Sequence, residues 1–511
     1  MKNEKVDTAL HIIKGAAQKV LGTKLTTTVF GEGNIGRLTV EFDRKPTDDE
    51  ISEIEHLSNA KVKENIPVNV IEMDREKAEK KYGKIMYDKF EVPKHITKLS
   101  VLVIDNWNIN CCNGKHVKTS GEVGKIKFRK FEFRNSKKEL EIGFEITEKV
   151  KLDKNIEKRL TLIKEVGIEI VDEDELIELL KSKEEFIAYD GFEPSGVIHI
   201  AQGLMRTINV NKMIQAGAHF KMLVADWHAW ANNKMGGDLE KIQTVGKYFI
   251  EVWKACGMDL DHIEFVWAND AVSDPEYWKI VMQIAINSTI KRIVRCGTIL
   301  GRTESEMRQS SQIFAPVMQA ADIFYLKADV CQLGLDQRKV NILARELGPK
   351  LGFWKPVIVS HGMLLGLKQP ISNELDPEKR TIALKMSKSK PDTAVFMTDS
   401  EEDIYRKIKN AWCPEKEAKE NPILEWCKKI VFEKYDSFEI KRPEKFGGNV
   451  TYNSYADLEK AFIDGKVHPL DLKQSTAFYI NELIKPVREH FEKDPKAKKL
   501  KEQVESFQVT R

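Results

Sequence analysis

From Phe186 onward, short apolar runs (FIAYD, FKMLVAD, IEFVWAND and PVIVS) alternate with longer helical stretches. Runs without polar alternation are strands buried on both faces, as in a parallel sheet covered by helices. This pattern of βαβ units leaves few options. It predicts an α/β core: a Rossmann-like, doubly wound parallel sheet.

The flanking segments read differently. Before residue 148, an amphipathic helix around Val6–Leu21 is followed by the strand-like RLTVEF. A helix start at Thr47–Asp49 and the alternating runs VNVIEM, LSVLVID and KIKFRKFEF come next. Such mixing predicts a compact α+β domain over 1–148. The doubly wound domain is assigned to 149–396. After it, helical patterns such as EDIYRKIKNAW, SYADLEKAF and TAFYINELIKPVREHF dominate, which gives a helical domain over 397–511. The last twenty residues are highly charged and read as a solvated helix or a frayed tail.

Composition excludes some classes. No apolar run reaches the ~20 residues that span a bilayer, so no membrane partner is expected. The N-terminus lacks the apolar stretch of a signal peptide, and a cytoplasmic protein is expected. Seven scattered cysteines do not suggest a disulfide framework. A net charge of +3 gives no global argument for nucleic-acid binding, which would need local basic patches.

Two segments carry chemistry. The first apolar run ends at Asp190 and enters Gly191-Phe192-Glu193-Pro194-Ser195-Gly196, then Val197-Ile198-His199-Ile200 and a helix. A glycine turn before a helix N-terminus lets backbone approach a phosphate, and His199 would donate to it. Far downstream, Lys385-Met386-Ser387-Lys388-Ser389 follows a loop-like stretch. Two lysines on a mobile loop can neutralise charge that develops on a pyrophosphate leaving group.

Together, and in this order, these segments resemble the two motifs of class I aminoacyl-tRNA synthetases. YDGFEPSGVIHIAQG, LVADWHAW, PVMQAADIFYLKADVCQLGLDQRKVNILAREL and KMSKSKPD narrow this to a resemblance to the archaeal/eukaryotic-type tyrosyl-tRNA synthetases, over about residues 155–490. The resemblance implies activation of L-tyrosine by ATP with Mg²⁺, transfer to tRNA(Tyr), and a homodimer. It implies that Tyr189 and Asp322 bind the phenolic hydroxyl of the substrate. Gln319 and Gln337 would hold its amino group. Gly191 and His199 would serve ATP, with Lys385 and Lys388 on the mobile loop. Two positions depart from the family. Gln202 stands where the first motif usually has its second histidine, and Ala315 where a tyrosine usually helps to hold the amino group. For tRNA, the resemblance points to Arg295 and Arg338 at the acceptor stem. It points to Phe446, His468 and Asp471 at the anticodon. A lone arginine near a helix end is otherwise read as a surface ion pair.

The first 148 residues lie outside that plan. Asp7 and His11 are four apart on a helix, and so share a face. Cys112 and His116 are also four apart, and the four residues would make a Zn²⁺ set with one open position. DTALHIIKGAAQKVLG, RLTVEFDR, VNVIEMDREKAEKKYG and CNGKHVKTSGEVGKIKF resemble the editing domain of alanyl-tRNA synthetases and free-standing alanyl-tRNA editing proteins. Asp7 replaces that family's first histidine. Three readings of this domain stay open: a metal-dependent ester hydrolase, an inactive tRNA-docking module, or a structural appendage. For the catalytic part the alternatives are a tryptophanyl-tRNA synthetase, against which Tyr189 and Asp322 argue, and a decayed, non-catalytic tRNA-binding protein.

Overall fold

The computed structural model describes residues 3–23, 25–89, 91–147, 152–297, 309–372, 374, 380, 383–386, 388 and 391–507. The chain forms two compact units, Met1–Leu152 and Asp153–Arg511.

The first unit is built on the helix Glu4–Leu21. Asn3 caps its start by accepting the Lys5 N–H, and Gly22, at φ +70°, ends it. Val6, Ala9, Ile12, Ile13, Ala16 and Ala17 of this helix are fully buried. They pack with Leu38, Val40, Ile142 and Phe144 of an antiparallel sheet. Its strands are β1 (Thr26–Glu32), β2 (Ile35–Glu41), β6 (Lys125–Arg134) and β7 (Glu139–Thr147), in the order β1-β2-β7-β6. A second antiparallel sheet joins β3 (Asn69–Asp74), β4 (Lys98–Ile104) and β5 (Asn108–Cys111) in that order. The helix start read at Thr47 is a capping box: Thr47 Oγ1 accepts the Glu50 N–H at 3.2 Å, and Glu50 Oε2 accepts the Thr47 N–H at 2.8 Å.

The second unit carries a sheet of β8 (Gly167–Ile170), β9 (Phe186–Phe192), β10 (Ala218–Val224), β11 (Ile263–Trp267), β12 (Val330–Gly334) and β13 (Val357–His361). The order is β11-β10-β9-β12-β13-β8. Its strands are parallel except β8, which runs antiparallel to β13 and makes the sheet mixed rather than purely parallel. Strand order reverses at β9, so a crevice opens beyond the carboxyl ends of β9 and β12.

The C-terminal region is not wholly helical. β14 (Phe438–Ile440) and β15 (Val450–Tyr452) pair as a short antiparallel ribbon. The described part of the charged C-terminal segment is not a frayed tail but a largely solvated helix with one buried edge. It forms the helix Pro495–Ser506, which packs against the helix Leu239–Ala255 and buries Ala497 and Val504. His490 and Glu251 meet at 2.7 Å beside that contact, and the Tyr248 and Phe491 rings lie 5.3 Å apart.

Gly15 permits one close approach in the first unit. The Trp107 indole donates to Ile12 O at 2.9 Å, and a Cβ on Gly15 would lie 2.4 Å from the indole nitrogen. Gly15→Ala should therefore cost about 1–3 kcal/mol through overpacking, despite alanine's better helix propensity. Denaturant unfolding followed by Trp107 fluorescence checks this, against other tryptophans replaced by phenylalanine.

Candidate active site

Strand β9 ends as Tyr189-Asp190-Gly191-Phe192, and the chain turns through Gly196 at φ +61°. It continues through His199 into a π-helical turn, Ala201–Met205, and the helix Arg206–Gln215. These residues frame a cavity of about 330 Å³ with the helix Ser311–Tyr325 and the carboxyl ends of β12 and β13. Of the residues expected here, Tyr189, Gly191, His199, Gln319, Asp322, Gln337 and Lys385 line it.

At one end lies Asp322, 1% exposed. Its Oδ1 accepts the Tyr277 hydroxyl at 2.8 Å. His228 Nε2 is 3.0 Å from Oδ2, at an angle that makes an ion-pair contact rather than a hydrogen bond. Burial pulls the His228 pKa down, but the Asp322 carboxylate outweighs it and the net shift is upward. Tyr189 is equally buried; its hydroxyl is pushed well above the usual range, first by burial and then by Asp322. Sequence reasoning missed Tyr277 and gave His228 no role. His228 sat inside a quoted motif, whereas Tyr277 lies on the amphipathic helix Pro275–Ile286, where a tyrosine reads as core.

Toward the middle, Gln319 donates to Gln337 Oε1 at 3.0 Å, which links the helix Ser311–Tyr325 to the turn after β12. Ala315, one turn before Gln319, is fully buried and lines the cavity.

The other end is cationic. Lys385 pairs with Asp336 at 2.8 Å, and Lys388 donates to Ser195 O at 2.5 Å, so the downstream segment reaches the glycine turn. Ser387 and Ser389 lie outside the described residues. Burial, and then Lys234 and Arg206, bring the Lys388 amine down to about 7. Burial first, then Lys388, Lys385 and Arg206, hold His199 well below its usual range. His199 is therefore neutral, with one N–H to donate.

The remaining expected residues lie outside this cavity. Arg338 sits in a half-exposed ion pair with Glu169, at 2.8 Å. Arg295 is exposed at the end of the helix Ile290–Arg295. Phe446, 63% exposed, lies on the loop between β14 and β15, with the Lys445 amine 5.0 Å from its ring centroid. His468 caps the helix Pro469–Lys493, and Asp471 lies in its first turn. Arg442 ties the two parts together by donating to Gly448 O and Lys466 O, at 2.9 and 3.0 Å.

The first unit holds a separate cluster. Donor atoms of His11, Cys112 and His116 lie within 4.8 Å of one another. A Cβ on Gly114 would meet His116 Nε2 at 3.2 Å and both Cys112 Sγ and Asp7 Oδ2 at 3.3 Å, so Asp7 faces the same point. Burial, then His116 and Lys14, bring His11 to about 3, and burial brings His116 to about 4. Both rings are neutral. Thr8 Oγ1 spends its proton on Glu4 O, so His116 Nδ1 must donate across the 3.3 Å to Thr8. His11 Nδ1 donates to Asn108 Oδ1 at 3.1 Å. Each ring thus keeps its Nε2 lone pair for the cluster.

The family of class I tRNA synthetases (W and Y) matches residues 181–485. The chain is 47% identical to "Tyrosine--tRNA ligase 1, cytoplasmic" of Arabidopsis thaliana, over 72% of this chain and 92% of that one. It is 41% identical to "Tyrosine--tRNA ligase" of Saccharolobus islandicus, over 70% of this chain and all of the other. Among solved structures, tyrosyl-tRNA synthetase of Pyrococcus horikoshii complexed with L-tyrosine is similar at a TM-score of 0.64 and 38% identity, covering 68% of this chain and 99% of that one. No described helix is long and apolar enough to cross a membrane.

Tyr277 tests the environment of Asp322. Tyr277→Phe leaves a buried carboxylate short of one donor, and should lower the stability of the larger unit by about 1–3 kcal/mol. Urea unfolding measures this, and Asp322→Asn in the Tyr277→Phe background should recover part of the loss.

Proposed function

The chain belongs to the class I tyrosine–tRNA ligases, which join tyrosine to tRNA at the expense of ATP, and on that premise we propose how its residues divide the work. Asp322 and Tyr189 receive the phenolic hydroxyl of L-tyrosine, and Tyr277 and His228 hold Asp322 in place. The observation that carries this reading is the Asp322 carboxylate, 1% exposed at the cavity wall and held by two polar side chains. A site built to bond a hydroxyl rejects phenylalanine by about 10⁴–10⁵, because the carboxylate would be left short of a partner. It offers an indole nothing equivalent, which disfavours tryptophan. Gln319 and Gln337 hold the substrate's amino group, with Ala315 leaving that end wider than a tyrosine would.

ATP, carrying Mg²⁺ as part of the substrate, lies toward Gly191, His199, Lys385 and Lys388. The tyrosine carboxylate attacks the α-phosphate in line and pyrophosphate leaves. The protein contributes positioning and charge stabilisation and forms no covalent intermediate. Arg295 and Arg338 serve the acceptor stem, with Arg338 exchanging Glu169 for RNA. The exposed Phe446 stacks on an anticodon base while Asp471 reads its edge, beside His468. The exposed side chains of Met282, Ile286, Ile290 and Phe314 support a homodimer.

Asp322→Ala tests the pocket. Tyrosine-dependent ATP–pyrophosphate exchange should be lost or greatly weakened. Near wild-type exchange with unchanged discrimination against phenylalanine would sink the assignment.

A second reading concerns residues 1–148. His11, Cys112 and His116, with Asp7, fit Zn²⁺, because two neutral imidazoles, a thiol and a carboxylate converge beside Gly114, where a Cβ would crowd three of the four. Bound there, zinc would supply Lewis-acid activation of water. The residues hold the ion, while Asn108 and Thr8 fix the ring orientations. The reaction proposed is hydrolysis of a mischarged aminoacyl ester to free amino acid and tRNA, with small amino acids favoured. A Cys112→Ala, His116→Ala double variant should lose bound zinc and ester hydrolysis while keeping tyrosine activation. Purified protein without metal that leaves seryl-, glycyl-, alanyl- and D-tyrosyl-tRNA intact would leave only the docking role.

A further inference from the structure

Three buried polar atoms at the start of one helix have no hydrogen-bond partner among the described residues: His199 Nδ1, Gln202 Oε1 and Arg206 Nη1. All three residues line the same cavity. A buried polar atom left unpaired is costly. Of the three, Arg206 Nη1 is a charged donor that an anion would complete, whereas Gln202 Oε1 is an acceptor that it would not. The π-helical turn Ala201–Met205 lies between His199 and Arg206, both of which line the cavity.

Arg206 is held firmly enough to act at one point. Its Nε lies 3.2 Å from Asp190 Oδ2, and its side chain is 15% exposed. The guanidinium carbon is 5.9 Å from the Phe192 ring centroid and 5.8 Å from that of Trp253. Asp190 in turn accepts the Gly191 N–H at 2.8 Å through Oδ1, so the arginine is braced against the glycine turn itself. After burial, the Arg206 charge is among the causes that depress both His199 and Lys388, which places it in the field of the two residues given to ATP. Gln202, between His199 and Arg206, brings no charge.

We infer that Arg206 is a further catalytic residue of tyrosine activation, gripping the ATP triphosphate with its unpaired Nη1 and holding the charge that develops on pyrophosphate. In that step a tyrosine carboxylate oxygen bonds to the α-phosphorus. The bond from that phosphorus to the bridging oxygen breaks, and its electron pair departs on pyrophosphate. No proton or redox partner is needed. Arg206 forms no bond; it stabilises the departing charge. The inference rests on the placement of ATP beside His199 and Lys388.

Arg206→Lys, Arg206→Gln and Arg206→Met in the full-length chain test it, with exchange kinetics, pyrophosphate inhibition and tyrosine binding by calorimetry. The Gln and Met variants should lose about 10²-fold or more in kcat/KM for ATP and bind pyrophosphate more weakly. The Lys variant should keep much of both, and all three should bind tyrosine as wild type does. Wild-type exchange in Arg206→Gln overturns the inference. So does a fall in tyrosine affinity parallel to the loss of activity, which would make Arg206 only a brace for Asp190. Should Arg206→Met fail to fold, the Lys and Gln variants decide, equal losses overturning it. Lys388→Ala is the control. If it also leaves exchange intact, the placement of ATP itself fails; if it abolishes exchange while Arg206→Gln does not, this inference alone fails.

Discussion

Strand β9 pairs with β10 from Phe186 through Phe192, but with β12 only at Ala188 and Tyr189. Beyond Tyr189 the β12 side of the strand has no neighbour, and backbone polar groups there must find other partners. One answer is visible in Asp190, whose side chain accepts the Gly191 N–H. The opening that results is where the glycine turn, the helix Ser311–Tyr325 and the downstream lysines converge. The crevice follows from the order in which strands are laid down, and side chains then specialise it.

That crevice takes several carboxylates out of water, and each is faced by a hydroxyl or a basic side chain from another element. Asp322 has Tyr277 and His228, Asp190 has Arg206, and Asp336 has Lys385. Burial pushes Asp190 up to about 6 despite Arg206, whereas at Asp336 burial is outweighed by Lys385 and the carboxyl falls below its usual value. Removing a single partner from such pairs strands a charge and costs far more than the pair contributes.

The sequence made parts of this legible and hid others for definable reasons. Four apolar runs announced β9, β10, β11 and β13. β12 escaped, because Val330–Gly334 carries Gln332, whose fully buried amide contacts His361 Nδ1 at 2.6 Å. β8 escaped too, four residues set between two helices, yet it closes the edge of the sheet. β14 and β15, three residues each, are too short for period-two alternation to register. In the first unit β1, β5 and β7 went unread, whereas two helix starts and β2, β3, β4 and β6 were found. Tyr189, Gly191, His199, Gln319, Asp322, Gln337 and Lys385, all carried by quoted motifs, line one cavity, whereas Arg338, from the same motifs, lies outside it. Tyr277 and Arg206 did not show, because a tyrosine or arginine on a helix is ordinary until a buried carboxylate is seen beside it.

The downstream lysines arrive at the cavity already engaged, Lys388 with the Ser195 carbonyl and Lys385 with Asp336. A phosphate that draws them away exchanges one partner for another, so its affinity reflects only the difference. Where the engaged arrangement dominates, apparent affinity falls in proportion to the fraction of molecules ready to receive. On the proposed placement of ATP, strengthening the engagement would weaken the net affinity for nucleotide, and weakening it would leave a buried amine short of a partner. On that placement, the two contacts set how much of a phosphate's attraction goes into releasing the lysines.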